Sequence, residues 1–332
     1  MTVLNSSQVA FFEREGYLVV DNFFDDADLQ PLIDELSEEI DRLAREMVRS
    51  GEISDPYEGH SFERRLMLIH KESDKVFNAI KAGKLSGAGV FSLLSHPKLL
   101  DAAEQFCGPE IIASSVYRVR PKLPGDRLGA IPWHQDSGYF EPYCDNSLIV
   151  TTWIPLVDAT EERGCLWIMP RSHRSGICTH TPHPGKVFLE ITPDHLPPGE
   201  PVCAPVRKGG IIFMTNKTPH GSVEINRSDS IRWSIDFRYQ SASLPTNAFT
   251  PINEEPAGSP SAGPPPACYP PERDLLIRSR LHPEKVCSNA EQFKALRVSW
   301  KPRVMTDRWN LKALSDQNGW RGFSETYNVN AS

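Results

Sequence analysis

The chain is expected to be mainly β, with helices flanking a sandwich or barrel, and three observations carry that expectation. From Ile111 onward, short apolar runs are separated by turn-rich breaks such as "PKLPGDRLGAIP", "EPYCDNS", "DATEERG", "PHPGK" and "RKGG". No helical stretches space those runs, which argues against alternating strand–helix units and a parallel sheet. The 332 residues suffice for one large core with appended helices, so a single domain is expected across 1–332.

Residues 1–110 are expected to form a mainly helical N-terminal part. "SSQVAFFEREGYLVV" opens on serine caps, runs about two helical turns, stops at Gly16 and leads into a short strand. "DDADLQPLIDELSEEIDRLAREMVR" sets Leu29, Leu32, Ile33, Leu36, Ile40, Leu43 and Met47 at helical spacing. Acids crowd the start of this segment and bases its end, as the helix dipole favours. Residues 51–65 are expected to be a polar loop, and "GVFSLLSHPKLLDAAEQFCG" two short helices closed by Gly108. The β core is expected over 111–240, with strands near 111–120, 147–155, 164–169, 201–205, 210–214 and 231–239. The Pro-rich stretch 254–271 is expected to be a loop or linker into a helical tail at 272–297. There is no internal repeat.

The net charge of −7 argues against a nucleic-acid surface. No window is apolar enough to span a bilayer, and "MTVLNSSQVAFF" lacks the zones of a signal peptide. Seven scattered cysteines without a CxxC pair are expected to be reduced thiols of a cytoplasmic protein.

The chemistry is concentrated in two places. In "PWHQDSGYF", His134 and Asp136 stand two residues apart, and on a strand such a pair projects from one face, as two ligands to one metal ion must. Further on, His220 would complete a set of two imidazoles and one carboxylate, the facial triad that leaves positions open on non-heme Fe(II). Beyond it, "RWSIDFRY" alternates strictly: Arg232, Ser234, Asp236 and Arg238 share one face, and Trp233, Ile235, Phe237 and Tyr239 the other. A polar face on so apolar a strand suits the lining of a cavity. Arg232, twelve residues after His220, is placed to hold a carboxylate by a two-pronged contact, with Arg238 as the alternative on that face. Each residue taken singly has a bland explanation: a loop histidine, an Asx turn, a surface arginine. His173, His180, His183 and His195 are taken as loop histidines. Trp133, Tyr139, Phe140 and Tyr143 bracket the ligand pair, either shaping a pocket or packing the rim.

Four blocks in order now matter together: "FFEREGYLVVDNFFD", "RPKLPGDRLGAIPWHQDSGYF", "TTWIPLVDATEERGCLWIMPRSHRSG" and "TPHGSVEINRSDSIRWSIDFRY". In these the chain, from about Phe11 to Tyr239, resembles the phytanoyl-CoA dioxygenase (PhyH) family of Fe(II)/2-oxoglutarate-dependent oxygenases. Two departures stand out. Arg171 lies where the family commonly has glycine, and the His220-to-Arg232 spacing is one residue longer than usual.

The resemblance implies a double-stranded β-helix core (jelly-roll, cupin-like). It implies Fe(II) held by His134, Asp136 and His220, with 2-oxoglutarate and O2 as co-substrates. Arg232 would anchor the far carboxylate of 2-oxoglutarate and Ser222 would touch it, with Lys122 and Trp153 at further contact positions. Arg118, Trp133, Phe140 and Arg64 are candidate substrate contacts, because the family's N-terminal helices and mouth loops commonly cover the substrate. The implied reaction oxidises a small molecule while 2-oxoglutarate is split to succinate and CO2. Hydroxylation is favoured over chlorination because the carboxylate Asp136 is present; desaturation, epimerisation and ring formation share the same site. A non-catalytic jelly-roll binder and a zinc hydrolase are the competing classes. The ending "NVNAS" carries no peroxisomal tripeptide, and no basic patch awaits the CoA phosphates, so the substrate is expected to be a polar metabolite or natural-product intermediate.

Overall fold

The computed structural model describes residues 3–82, 85–114, 117–126, 129–140, 144–182, 189–244 and 274–299. The first helix, α1 (Ser6–Glu15), is capped by Asn5 rather than by the serines. Its side chain accepts from the Gln8 N–H, and Gln8 reaches back to complete a capping box. Gly16 stops the helix in the left-handed region at φ 81°, and β1 (Tyr17–Val20) follows. Helix α2 (Asp26–Arg49) buries the stripe from Leu29 to Met47, with Ala44 rather than Leu43 on its fully buried line.

Four shorter helices follow: α3 (Phe62–His70), α4 (Lys75–Lys81), α5 (Ala88–Leu94) and α6 (Pro97–Cys107). The polar loop expected over 51–65 therefore ends at Ser61. Leu66 and Ile69 are buried there at helical spacing, and the charged residues between them mask that signal in the sequence.

The strands are β2 (Ile111–Ala113), β3 (Arg118–Val119), β4 (Ile131–His134), β5 (Ile149–Pro155), β6 (Leu166–Ile168), β7 (Thr181–Pro182) and β8 (Leu189–Glu190). After these come β9 (Val202–Ala204), β10 (Ile211–Thr215), β11 (His220–Ser222), β12 (Ser234–Ser241) and β13 (Leu275–Arg278), before the last helix α7 (Ala290–Ser299). One antiparallel sheet runs β1-β10-β5-β12-β2-β13, with β3 also on β12; a second runs β4-β11-β6-β9, and β7 pairs β8. Two antiparallel sheets with helices on the outside are the architecture of a jelly-roll core.

The expected helical tail at 272–297 is corrected. Leu275–Arg278 is an edge strand on β2, and the helix begins only at Ala290. "LLIR" is too short to reveal its period, and only the open edge of β2 selects a strand. Residues 254–271 lie outside the described residues.

Alternation along β12 decides what lies where. Trp233, Ile235, Phe237 and Tyr239 enter the large core shared with the helices, stacked on Phe62 at 4.7 Å in the case of Trp233. The other face, Ser234, Asp236 and Arg238, is equally buried but polar. Trp153 on β5, Leu166 and Ile168 on β6, and Ile212 and Met214 on β10 form a separate apolar cluster. Among the described residues no helix is long and apolar enough to cross a membrane.

Candidate metal centre

Strands β4 and β11 pair so that His220 lies directly opposite His134, and the two rings sit 4.4 Å apart. Each ring turns its Nδ1 to the carbonyl two residues earlier: His134 to Pro132 O at 2.9 Å, His220 to Thr218 O at 2.9 Å. A carbonyl only accepts, so both rings carry the proton on Nδ1 and present a bare Nε2. Burial pushes the His134 imidazole down to about 3, with His220 adding to the effect, and burial lowers His220 as well. Both rings are neutral at ordinary pH, the form that binds metal.

Asp136 opens a short 3-10 turn after β4. Its carboxylate accepts from the Thr151 hydroxyl, from Arg238 Nε at 3.0 Å and from Arg238 Nη2 at 2.8 Å. Burial alone would raise this carboxyl, but the Arg238 charge and hydrogen bonds outweigh it and hold the group well below the usual carboxylate range. One ligand atom from each of His134, Asp136 and His220 lies within 4.8 Å of the others, and all three residues are buried. Among the described residues this is the one such group.

The backbone between the two ligands is tied down separately. The Gln135 N–H donates to His180 Nε2 at 3.0 Å, while His180 Nδ1 meets Cys178 O at 2.8 Å. The Gln135 side chain donates to Gly176 O and Lys217 O and accepts from the Cys178 N–H. His180, expected to be a solvated loop residue, is fully buried. His173 contacts Glu13 O and His195 contacts Thr192, so neither joins a cluster. His183 and Tyr143 lie outside the described residues.

Beside the triad sit two buried cations. Lys122 and Arg232 face each other in an isolated antiparallel bridge. Lys122 Nζ donates to Ser222 O at 2.6 Å and to Ser222 Oγ at 2.7 Å. Arg232 donates to Ser222 Oγ at 3.1 Å and to Ser234 Oγ at 2.6 Å, with its guanidinium carbon 5.3 Å from the centre of the Trp153 ring. Its Nε is buried without a partner. Burial, then Arg232, pushes Lys122 down to about 7; burial, then Arg120, pushes Arg232 down to about 10. Neither forms an ion pair with a carboxylate among the described residues. A buried guanidinium with an orphaned N–H, beside a lysine that burial and that guanidinium drive toward its neutral form, is expensive unless an anion completes the pair.

Gly164 makes room for Lys122. It has φ 69°, and a Cβ there would lie 2.8 Å from Glu224 O and 2.9 Å from Lys122 Cε.

The structure brings His134, Asp136 and His220 together, and likewise Lys122, Ser222, Arg232 and Trp153. The other expected contacts are placed as follows. Arg238 is committed to Asp136 and Asp236, so it is not the alternative carboxylate anchor. Arg64 sits half-exposed on α3, ion-paired with Asp229. Phe140 is buried in a small cluster with Cys144 and Ile149, supporting the rim; Tyr139, not Phe140, lies edge-on to His134 at 5.8 Å. Trp133 is half-buried, its carbonyl accepting from the Ile191 N–H at 2.6 Å. Arg118 lies opposite Asp236 on β3, with Nη1 donating to Tyr117 O. Three site residues carry no role in the sequence reading: Gln135 and Thr151 lie inside two of the quoted blocks without an assigned contact, and His180 reads as a loop histidine.

A facial two-histidine, one-carboxylate set beside an anion-ready basic pocket, inside a jelly-roll core, defines a class of metal-dependent protein. Within that class the chain belongs to the phytanoyl-CoA dioxygenase (PhyH) family, whose model matches residues 12–234. It is 27% identical over 250 residues to human peroxisomal phytanoyl-CoA dioxygenase, covering 72% of this chain and 69% of that one. It is 28% identical over 229 residues to ectoine dioxygenase of Bordetella parapertussis, covering 66% of each. Among solved structures, a non-heme monooxygenase in its apo form is similar in fold, with TM-score 0.50 and 17% identity over 87% of this chain and 92% of that one.

Proposed function

We propose that this protein is an Fe(II)/2-oxoglutarate-dependent oxygenase that hydroxylates a small molecule. The observation that carries the proposal is the pairing of the triad with Lys122 and Arg232, two buried cations and an unpartnered Arg232 Nε beside a metal-ready set. A metal site alone fits a hydrolase, and a basic pocket alone fits an anion binder. A dianionic keto acid that bridges the two accounts for both. The family relatives include enzymes named for dioxygenase chemistry on an acyl-CoA and on ectoine, and both names support an oxidation.

The donor set fits Fe(II), with two neutral imidazoles and one carboxylate leaving positions for co-substrate and oxygen. When bound, the iron supplies the oxidising chemistry, coupled to conversion of 2-oxoglutarate to succinate and CO2. The residues of this chain would do the rest. His134, Asp136 and His220 would hold the metal, Arg232 and Ser222 the far carboxylate, and Lys122 would add charge. Trp153 stacks against Arg232 and keeps water from its face.

Anaerobic titration of the purified protein with Fe(II) and 2-oxoglutarate tests this. A weak visible charge-transfer band is expected, absent in His134→Ala, Asp136→Ala and His220→Ala. A wild-type protein that gives no band and makes no succinate with any candidate substrate would overturn the proposal.

A further inference from the structure

We infer that Arg238 and Thr151 are positioning residues that confine Asp136 to a single metal-binding oxygen, Oδ1. This rests on the function proposed above and adds two residues to its machinery. A carboxylate oxygen has two lone pairs, so four sites must be accounted for on Asp136. Oδ2 accepts from Arg238 Nε at 3.0 Å and from the Thr151 hydroxyl, which uses both of its lone pairs. Oδ1 accepts from Arg238 Nη2 at 2.8 Å alone, which leaves one lone pair for a metal ion. The paired N–H bonds of the guanidinium also hold the carboxylate in the plane of the fork, so it cannot rotate to offer Oδ2 instead.

Arg238 is itself held. Its Nη1 donates to Asp236 Oδ2 at 2.9 Å, and the other oxygen of Asp236 accepts from Arg120. Asp136, Arg238, Asp236 and Arg120 thus form a row of alternating charge, buried in all but Arg120. Arg238 and Asp236 come from the polar face of β12, and Arg232 from the same alternation just before that strand begins. One face therefore serves the co-substrate pocket at one end and the metal carboxylate at the other.

The consequence concerns coordination positions. A carboxylate free to chelate with both oxygens would take a position that a chelating keto acid needs. Loss of the clamp should therefore weaken 2-oxoglutarate binding while metal binding survives. General damage to the site would weaken both together.

The test uses the full chain loaded with Mn(II) or, anaerobically, Fe(II), and measures metal affinity and 2-oxoglutarate affinity separately by calorimetry. Thr151→Val keeps every charge and the strand-favouring shape, and frees one lone pair on Oδ2. Metal affinity within about threefold of wild type is expected, with 2-oxoglutarate affinity lower on the order of tenfold and the charge-transfer band shifted. Thr151→Ser, which keeps the hydroxyl, is expected to restore both. Arg238→Lys should show the same split more strongly, since one ammonium cannot reproduce the fork. Wild-type 2-oxoglutarate affinity and an unshifted band in Thr151→Val and Arg238→Lys would overturn the inference, as would equal loss of metal and co-substrate affinity. Failure of wild type itself to bind metal and 2-oxoglutarate would instead overturn the proposed function.

Discussion

Lys122 offers a test that needs no substrate. Its ammonium is buried beside Arg232, and burial with that like charge brings its pKa from 10.5 to about 7. A dianion docked on Arg232 and Ser222 would reverse the second effect and make the charged form favourable again. The carboxylates of 2-oxoglutarate themselves ionise well below pH 6, so Lys122 is the group that titrates on binding. If only the protonated form binds well, the apparent dissociation constant scales as one plus ten to the power of pH minus 7. Affinity should then fall about eightfold between pH 6.5 and pH 8.0. At pH 7.5 binding should take up about 0.8 of a proton, the fraction of Lys122 then uncharged. Calorimetry of the Mn(II)-loaded protein in two buffers of different ionisation enthalpy reads that uptake directly. Lys122→Met should bind on the order of tenfold or more weakly, since a charge-assisted hydrogen bond is lost, and should show no pH dependence. A flat affinity from pH 6.5 to 8.0, with no proton uptake by wild type, would refute the reasoning.

Arg232→Met should abolish 2-oxoglutarate binding while leaving metal binding intact. It should also raise the ligand-free melting temperature, because a buried cation without a counter-charge is replaced by an apolar chain; a lower melting temperature would show that the cation is already compensated. The folded pKa of His134, about 3, lies below its ordinary 6.5, so the unfolded chain holds more protons between those values. Stability of the metal-free protein should therefore fall as pH drops below 6.5, by about 1.4 kcal/mol per pH unit for this ring, and denaturant midpoints of His134→Gln should lack that component. Gly164→Ala should destabilise by about 1–2 kcal/mol from the left-handed backbone alone, and should weaken 2-oxoglutarate binding by displacing Lys122. Arg171 stands at φ 64° with its guanidinium on Glu15; Arg171→Gly should therefore be more stable than Arg171→Ala in urea melts, since only Ala keeps the strained backbone without the ion pair.

Much of the site was legible because strand alternation is a local property. Period two placed Arg232, Ser234, Asp236 and Arg238 on one face before any fold was known, and that face is the polar one in the structure. Alternation says which face, however, and not which neighbour. On the strand Arg232 is the expected carboxylate anchor and Arg238 the alternative; what separates them is that β11 brings Ser222 to one and the turn after β4 brings Asp136 to the other. Strands β4 and β11, which carry the two histidine ligands, are absent from the strands the sequence predicts. They are short, hold Pro, His and Gly, and exist because they pair with each other, with β11 also pairing β6. For Arg171, the sequence marked only a departure from the usual glycine; Glu15, 156 residues away, explains how a non-glycine residue is held there.

By itself, then, the sequence determined the kinds of atoms available, two imidazoles, a carboxylate and a pair of cations, and the face of the strand on which several of them lie. Covalent spacing and the period of a strand are enough for that. The tertiary structure decided which ring nitrogen is bare, which arginine is left without a counter-charge and which oxygen of Asp136 remains open. The choice of arginine and of oxygen is made by hydrogen bonds between residues a hundred or more positions apart, Arg238 to Asp136 and Lys122 to Ser222 among them, the bare ring nitrogen by bonds to carbonyls only two residues back, and all of them by the burial that makes each bond costly to leave unmade.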